Sequence, residues 1–213
     1  MGHVSALLSV LYIVLLVTAG MAGAQLVRST PRRTPIATMI AFALTAVPSL
    51  LQLTVAPGLF EALRRDRTAI GDGELWRLVT SFTVQDSGWT GTIFNLAALA
   101  VIGTLAERRW GPGRWVAIAL AVQVLGNLWG LVVQPVGAGT SLVIFGLAGS
   151  LAAAAVVARD VDRRARSAAA VSLIAALTLL VLADIHGGAA LLGALAGAAL
   201  AVPRRSIPVT PPS

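Results

Sequence analysis

Apolar runs close to 20 residues long recur along this chain with only short polar corners between most of them, and few folds accommodate that pattern. A helix needs about 20 mostly apolar residues to cross the hydrocarbon core of a bilayer. Lipid cannot hydrogen-bond a peptide group, so each crossing must satisfy its own backbone, and a helix does so within one segment. The runs fall at roughly 5–27, 35–55, 91–107, 113–134, 139–158, 168–184 and 185–202. Composition points the same way: 57% of residues are hydrophobic and 12% charged, with a mean hydropathy of +0.85. Soluble domains run at about 45–50% apolar and about 25% charged, so a water-facing surface cannot be built from this chain. The expected fold is all-α and polytopic: one N-terminal transmembrane helix with an Arg-rich linker (1–34), a six-helix membrane core (35–202) and a disordered tail (203–213). Ala22-Gly23-Ala24 resembles a signal-peptide cleavage site, but the first run is long and no Arg or Lys precedes it, so it reads as a retained helix.

The net charge of +7 is carried entirely by Arg on the basic side. Twelve of the 16 basic residues, Arg28, Arg32, Arg33, Arg108, Arg109, Arg114, Arg159, Arg163, Arg164, Arg166, Arg204 and Arg205, follow alternate runs. The other four, Arg64, Arg65, Arg67 and Arg77, lie in the long stretch 56–90. Positive loops stay in the cytoplasm, which places the N-terminus outside and the C-terminus inside. Short arginine clusters beside apolar runs indicate a membrane surface and exclude a nucleic-acid-binding face. With no Cys, thiolate chemistry and disulfides are excluded, and no metal or other cofactor is expected. Compact size, the lack of Cys and the Arg-only usage suggest a bacterial plasma membrane.

Polar side chains inside a membrane are expensive and mark protein interiors or water-filled cavities. Those here are Asn95, Asn127, Thr140, Ser141, Ser150, Asp184 and His186. The helices starting near 91, 139 and 185 all enter from the outer face, and Asn95, Ser141 and His186 lie within about two turns of those starts, hence at one depth. A His can act as base for a Ser, and an Asn can donate to an oxyanion, so the three together suit acyl transfer. Gly146 and Ser150 on one helix, and Gly193 and Gly197 on another, are small-residue faces that allow close backbone approach.

Five motifs in order resemble the rhomboid intramembrane serine proteases. Glu74-Leu75-Trp76-Arg77 is similar to the Trp-Arg motif of that family's first loop. Asn95 matches an Asn on its second core helix, and Gly103, Glu107 and Gly111 match a G-x-x-x-E-x-x-x-G pattern. Residues 139–149 resemble the nucleophile segment G-x-S-G-x-x-F-G-L-x-G, and His186 with Gly188 and Gly193 resembles the His helix. The resemblance implies a serine endopeptidase that cleaves transmembrane segments of membrane proteins near the outer leaflet. Ser141 is then nucleophile and His186 base, with the Ser141 N–H and Asn95 at the oxyanion, Phe145 against the His ring, and Gly139, Trp76 and Arg77 in support. Two positions depart from the pattern. Gly91 stands where the family has a His, and Leu142 where it has a Gly.

Structural roles are expected for several of these residues. Trp76 and Arg77 read as an interface anchor, Glu107 with Arg108 and Arg109 as a helix-end cap, and Phe145 as a core aromatic. Gly103, Gly111, Gly193 and Gly197 read as packing glycines. Asp184 could orient His186 and make a triad, but it is expected in water at the corner, because positions two apart on a helix do not face each other. Two rivals to proteolysis remain: a catalytically silent relative that binds membrane segments without cutting, motivated by Gly91 and Leu142, and a small transporter, disfavoured by the near absence of charge inside the helices and of an inverted repeat.

Overall fold

The computed structural model describes residues 2–201, and the expected disordered tail lies outside them. The chain is helical almost throughout. Helix α1 covers Gly2–Leu26 and α2 covers Ile36–Thr54. The stretch between α2 and the next long helix is itself folded. It contains α3 (Gly58–Leu63), β1 (Arg65–Asp66), α4 (Arg67–Gly71) and α5 (Arg77–Thr80). Then come α6 (Gly88–Ala98), a π-helical stretch (Leu99–Gly103) and α7 (Thr104–Trp110), which run on as one apolar span. Helix α8 is Pro112–Val133, β2 is Val136–Gly137, α9 is Ser141–Val157, α10 is Arg163–Val181 and α11 is Ile185–Ala201.

Among the described residues, five helices are long and apolar enough to cross a membrane: Ala6–Leu26, Ile36–Thr54, Gly88–Trp110, Pro112–Val133 and Arg163–Val181. Helices α9 and α11 are apolar but have 17 residues each, about 26 Å at 1.5 Å per residue. Helix α9 is the axis of the molecule: from Leu142 to Ala155 every residue is buried by its neighbours. Elsewhere large apolar side chains such as Ile40, Val101, Ile174 and Leu195 point outward, as lipid-facing surface requires.

Glycines bring α9 and α11 together. A β-carbon at Gly193 would overlap the carbonyl oxygen of Gly146, one at Gly197 that of Ser150, and one at Gly149 that of Ala190. The two small-residue faces read in the sequence are therefore the two halves of one backbone-to-backbone seam. Helix α1 packs on α9 and α10, burying Leu15, Leu16, Ala19 and Ala22, and Ser172 of α10 donates to the Leu15 carbonyl at 3.1 Å.

Polar side chains close the ends of the bundle. Glu107 accepts from the backbone N–H groups of Ala37 and Thr38 at 3.0 and 2.8 Å, and from the Thr38 hydroxyl at 2.8 Å. It thus caps α2, satisfying donors that a helix N-terminus leaves free. Arg108 donates to the Val27 and Thr30 carbonyls at 3.0 Å each, and Arg109 lies 4.5 Å over the Trp110 ring.

Two expectations are corrected. Gly111 is not a packing glycine. Nothing lies within 4 Å of its missing β-carbon, and its φ of +77° is what the α7–α8 turn demands. Helix α10 begins at Arg163, so Arg163, Arg164 and Arg166 lie in its first turns instead of in a loop, with Asp162 accepting from the Ala165 N–H at 2.8 Å as N-cap. The cap outweighed the drop in hydropathy that had suggested a start at 168.

The α9–α11 seam makes Gly193→Val a strongly destabilising change, by more than about 3 kcal/mol, since backbone must move to admit it. Gly58→Ala, at a position with open space around it, leaves the melting temperature in detergent within about 1 °C of wild type. Thermal unfolding of the two variants tests the contrast.

Candidate active site

Helix α9 starts at Ser141 because the preceding chain is pinned. Gly139 has φ +144°, a conformation L side chains rarely adopt, and its N–H donates to the Ser81 carbonyl at 2.8 Å. Strand β2 pairs antiparallel with β1, matching Arg65 to Gly137 and Asp66 to Val136. Thr140 is fully buried, and its hydroxyl contacts the Phe82 carbonyl and the Thr45 hydroxyl, both at 3.2 Å. Ser141 is thereby held at the first position of a buried helix, where backbone N–H groups have no intrahelical acceptor.

His186 comes from the second residue of α11. Its Nε2 lies 3.0 Å from Ser141 Oγ. Its Nδ1 lies 2.9 Å from Asp184 Oδ1. The expectation that Asp184 sits in water is overturned. The spacing rule that suggested it applies within a helix, whereas Asp184 stands in the turn between two helices. Asp184 N–H bonds to the Leu179 carbonyl and Ala183 N–H to the Leu180 carbonyl, both at 2.9 Å, closing α10 in a Schellman motif. Ala183 takes the left-handed position at φ +55°, usually a glycine site. Asp184 is at the same time the N-cap of α11, its Oδ1 accepting from the His186 N–H at 2.9 Å. One residue thus ends one helix, begins the next and faces the imidazole. Burial disfavours its charge, but hydrogen bonds from His186 and Tyr12 outweigh that and hold the carboxyl below its usual range.

Tyr12 of α1 was not singled out in the sequence. Its hydroxyl donates to Asp184 Oδ2 at 2.6 Å. Its ring meets His186 edge-on at 4.7 Å and Phe145 at 5.3 Å, and Phe145 in turn lies 4.7 Å from the His186 ring at 48°. The imidazole therefore packs beside two aromatic rings that also touch each other, with a hydroxyl at one nitrogen and a carboxylate at the other. Such a chain can take a proton from an alcohol and stabilise the imidazolium that results.

Asn95 of α6 lines the same cavity, about 290 Å³ in volume, as Tyr12, Ser141, Phe145 and His186. One of its amide protons goes to Gln85 Oε1 at 2.7 Å. Gln85, also missed in the sequence, is 1% exposed and donates to the Thr140 hydroxyl at 2.8 Å. Its main chain is paired with the Gln52 side chain in both directions, at 2.6 and 3.0 Å. Gln85 thus ties α2, α6 and the residue before Ser141 together. Arg65, buried in the same wall, donates to Asn127 Oδ1 at 2.6 Å and to the Gln134 carbonyl at 2.7 and 3.2 Å. Burial pushes its pKa down to about 10, so it remains charged at neutral pH.

Trp76 is more than half exposed, while Arg77 is tied to Glu74 at 2.6 Å and to the Glu61 and Arg64 carbonyls at 2.7 and 3.0 Å. Neither lines the cavity; Arg77 organises the loop. Leu142 is buried, with its isobutyl group against Gly126 of α8, and it also lines the cavity. A β-carbon at Gly91 would overlap that of Ser87, so glycine is demanded there by the local turn. Among the described residues, no group of three or more His, Asp or Glu is placed to hold a metal ion.

With the geometry in view, comparison with known proteins gives a consistent result. Residues 72–206 match the Rhomboid domain family. The chain is also similar to the rhomboid protease GluP of Bacillus subtilis (strain 168), at 38% identity over 88 residues. That similarity covers 41% of this chain and 17% of the relative's length. The match takes in α6 through α11 with Asn95, Ser141, Asp184 and His186, and the chain belongs to the Rhomboid domain family.

Proposed function

We propose that this protein is an intramembrane serine endopeptidase that cleaves transmembrane segments of membrane proteins near the outer leaflet. The observation that carries the reading is the 3.0 Å contact between Ser141 Oγ and His186 Nε2, opening on a polar cavity within an otherwise apolar bundle. Hydrolysis needs water inside the membrane, and Arg65, Asp86, Asn127 and Gln134 line that cavity with groups that hold it. The arginine distribution supports an outside N-terminus and one helix plus a six-helix core, and the compact size, the lack of Cys, the Arg-only usage and the similarity to a Bacillus subtilis protein support a bacterial plasma membrane.

In this mechanism Ser141 Oγ attacks the scissile carbonyl carbon as its proton passes to His186 Nε2. The carbonyl oxygen becomes an oxyanion facing the Ser141 N–H and the second Asn95 amide proton. Collapse breaks the C–N bond, and Nε2 returns the proton to the leaving amine. Water then attacks the acyl-enzyme, giving a proton to Nε2 and releasing the carboxylate as Oγ regains it. Gln85 keeps the Asn95 amide facing the nucleophile.

The second reading, a relative that binds membrane segments without cutting them, draws on Gly91, which leaves the oxyanion one donor short of the family pattern. Cleavage of a model transmembrane substrate in liposomes, together with labelling by a fluorophosphonate, separates the two. The protease reading expects both with the wild type and neither with Ser141→Ala; a wild type that does neither supports the silent relative.

Asn95→Ala is expected to lower kcat by about 10²–10³-fold with little change in KM, the usual cost of one oxyanion donor. Gly91→His is expected to destabilise the protein by about 1–3 kcal/mol because Ser87 must give way. Pairing it with Ser87→Gly recovers part of that loss in a thermal-unfolding series.

A further inference from the structure

We infer that Asp184 and Tyr12 are positioning residues that fix the tautomer and orientation of His186, so that the site is a Ser–His–Asp triad braced by a tyrosine from α1. The inference rests on the protease reading for its kinetic consequence, but not for its structural one.

The argument starts from what each group can do. A carboxylate only accepts hydrogen bonds. Asp184 receives three: from the His186 main-chain N–H, from the Tyr12 hydroxyl and from His186 Nδ1. The last requires the proton to reside on Nδ1. Nε2 then presents a lone pair to Ser141 Oγ, 3.0 Å away, which is the arrangement a general base needs. The opposite tautomer would set a lone pair against the carboxylate and an N–H against the serine oxygen. When Ser141 gives up its proton, the imidazolium acquires its positive charge 2.9 Å from a carboxylate that stays ionised.

Asp184 itself cannot drift. It is fixed as the second residue past Leu182, the C-cap of α10, and as the cap of α11, and Tyr12 holds its other oxygen. Tyr12 also covers one side of the imidazole while Phe145 approaches it as well. Tyr12 lies outside residues 72–206, so this brace is contributed by a helix beyond the matched domain. The inference therefore requires α1 to stay with the enzyme.

The chain contains two histidines, His3 and His186. A His3→Gln background therefore leaves a single imidazole, and ¹⁵N-histidine labelling of the full-length protein in detergent micelles reports His186 alone. The expected spectrum shows a protonated Nδ1 and an unprotonated Nε2 near neutral pH. Asp184→Ala removes the oxygen that faces both His186 Nδ1 and the His186 main-chain N–H, whereas Asn would keep an acceptor there. Asp184→Ala is expected to move the imidazole population toward the Nε2–H tautomer and lower kcat by about 10²–10⁴-fold with KM nearly unchanged. Tyr12→Phe keeps the ring contacts and is expected to shift the tautomer partially and lower kcat by about 3–10-fold. A wild-type imidazole in the Nε2–H form, or an Asp184→Ala variant with unchanged tautomer, overturns the inference. So does Asp184→Ala that cleaves at the wild-type rate while Ser141→Ala does not, an outcome that leaves the two-residue protease intact. A wild type that neither cleaves nor labels removes the protease reading, and the tautomer measurement still decides whether Asp184 and Tyr12 hold the imidazole.

Discussion

The contact between the backbones of α9 and α11 is the constraint on which the rest depends. Ser141 and His186 are 45 residues apart, on different helices, and neither side chain is long. A 3.0 Å contact between them requires their helices to approach more closely than ordinary side chains allow. Gly149, Gly193 and Gly197 permit that approach because each faces a carbonyl across the seam, that of Gly146 among them. In lipid, where burying apolar side chains against one another brings no release of water, such packing is a principal source of helix association. One feature thus serves stability and site geometry together.

The second requirement is that the charged and amide side chains that frame the site find partners within the bundle. Glu107 is consumed by the N-terminus of α2, Arg65 by Asn127 and the end of α8, and Gln85 by three segments at once. An unpaired group at such a depth costs several kcal/mol, so these networks fix the loop between α2 and α6 as firmly as apolar packing fixes the helices. Arg65, Ser81, Asp86 and Ser87 of that loop form one part of the cavity wall near Ser141.

Helix positions and the Ser141–His186 pairing were legible in the sequence because they rest on local signals: run length, arginine bias, and small residues spaced four apart. What stayed hidden depends on contacts remote in the chain. Tyr12 lies in a run that is apolar on every face, since lipid and protein neighbours both accept apolar side chains, so periodicity could not show which face turns inward. Gln85 and Arg65 looked like ordinary loop residues because most of their partners lie far off in the chain, up to 69 positions away. Asp184 was visible but misjudged. The relevant signal was its place immediately before an apolar helix, where Asp is a preferred cap, and a cap at that point faces the side chain two residues on. The π-helical stretch Leu99–Gly103 has no sequence signature at all.

On the proposed mechanism, two charges develop together in the transition state: negative on the substrate oxygen and positive on the imidazole. Gly91 removes one means of stabilising the first, and the turn around Ser87 leaves no room to restore it by side-chain replacement alone. The carboxylate of Asp184 acts on the second. It is 2.9 Å from Nδ1, held by Tyr12 at 2.6 Å and largely shielded from water, where a charge pair is worth more than at the surface. Because both charges form in one step, stabilising either lowers the same barrier. A site with fewer oxyanion donors and a fixed carboxylate behind its base therefore shifts the electrostatic work from the substrate side of the serine to the histidine side, and its turnover should depend more on Asp184 than on any residue of α6.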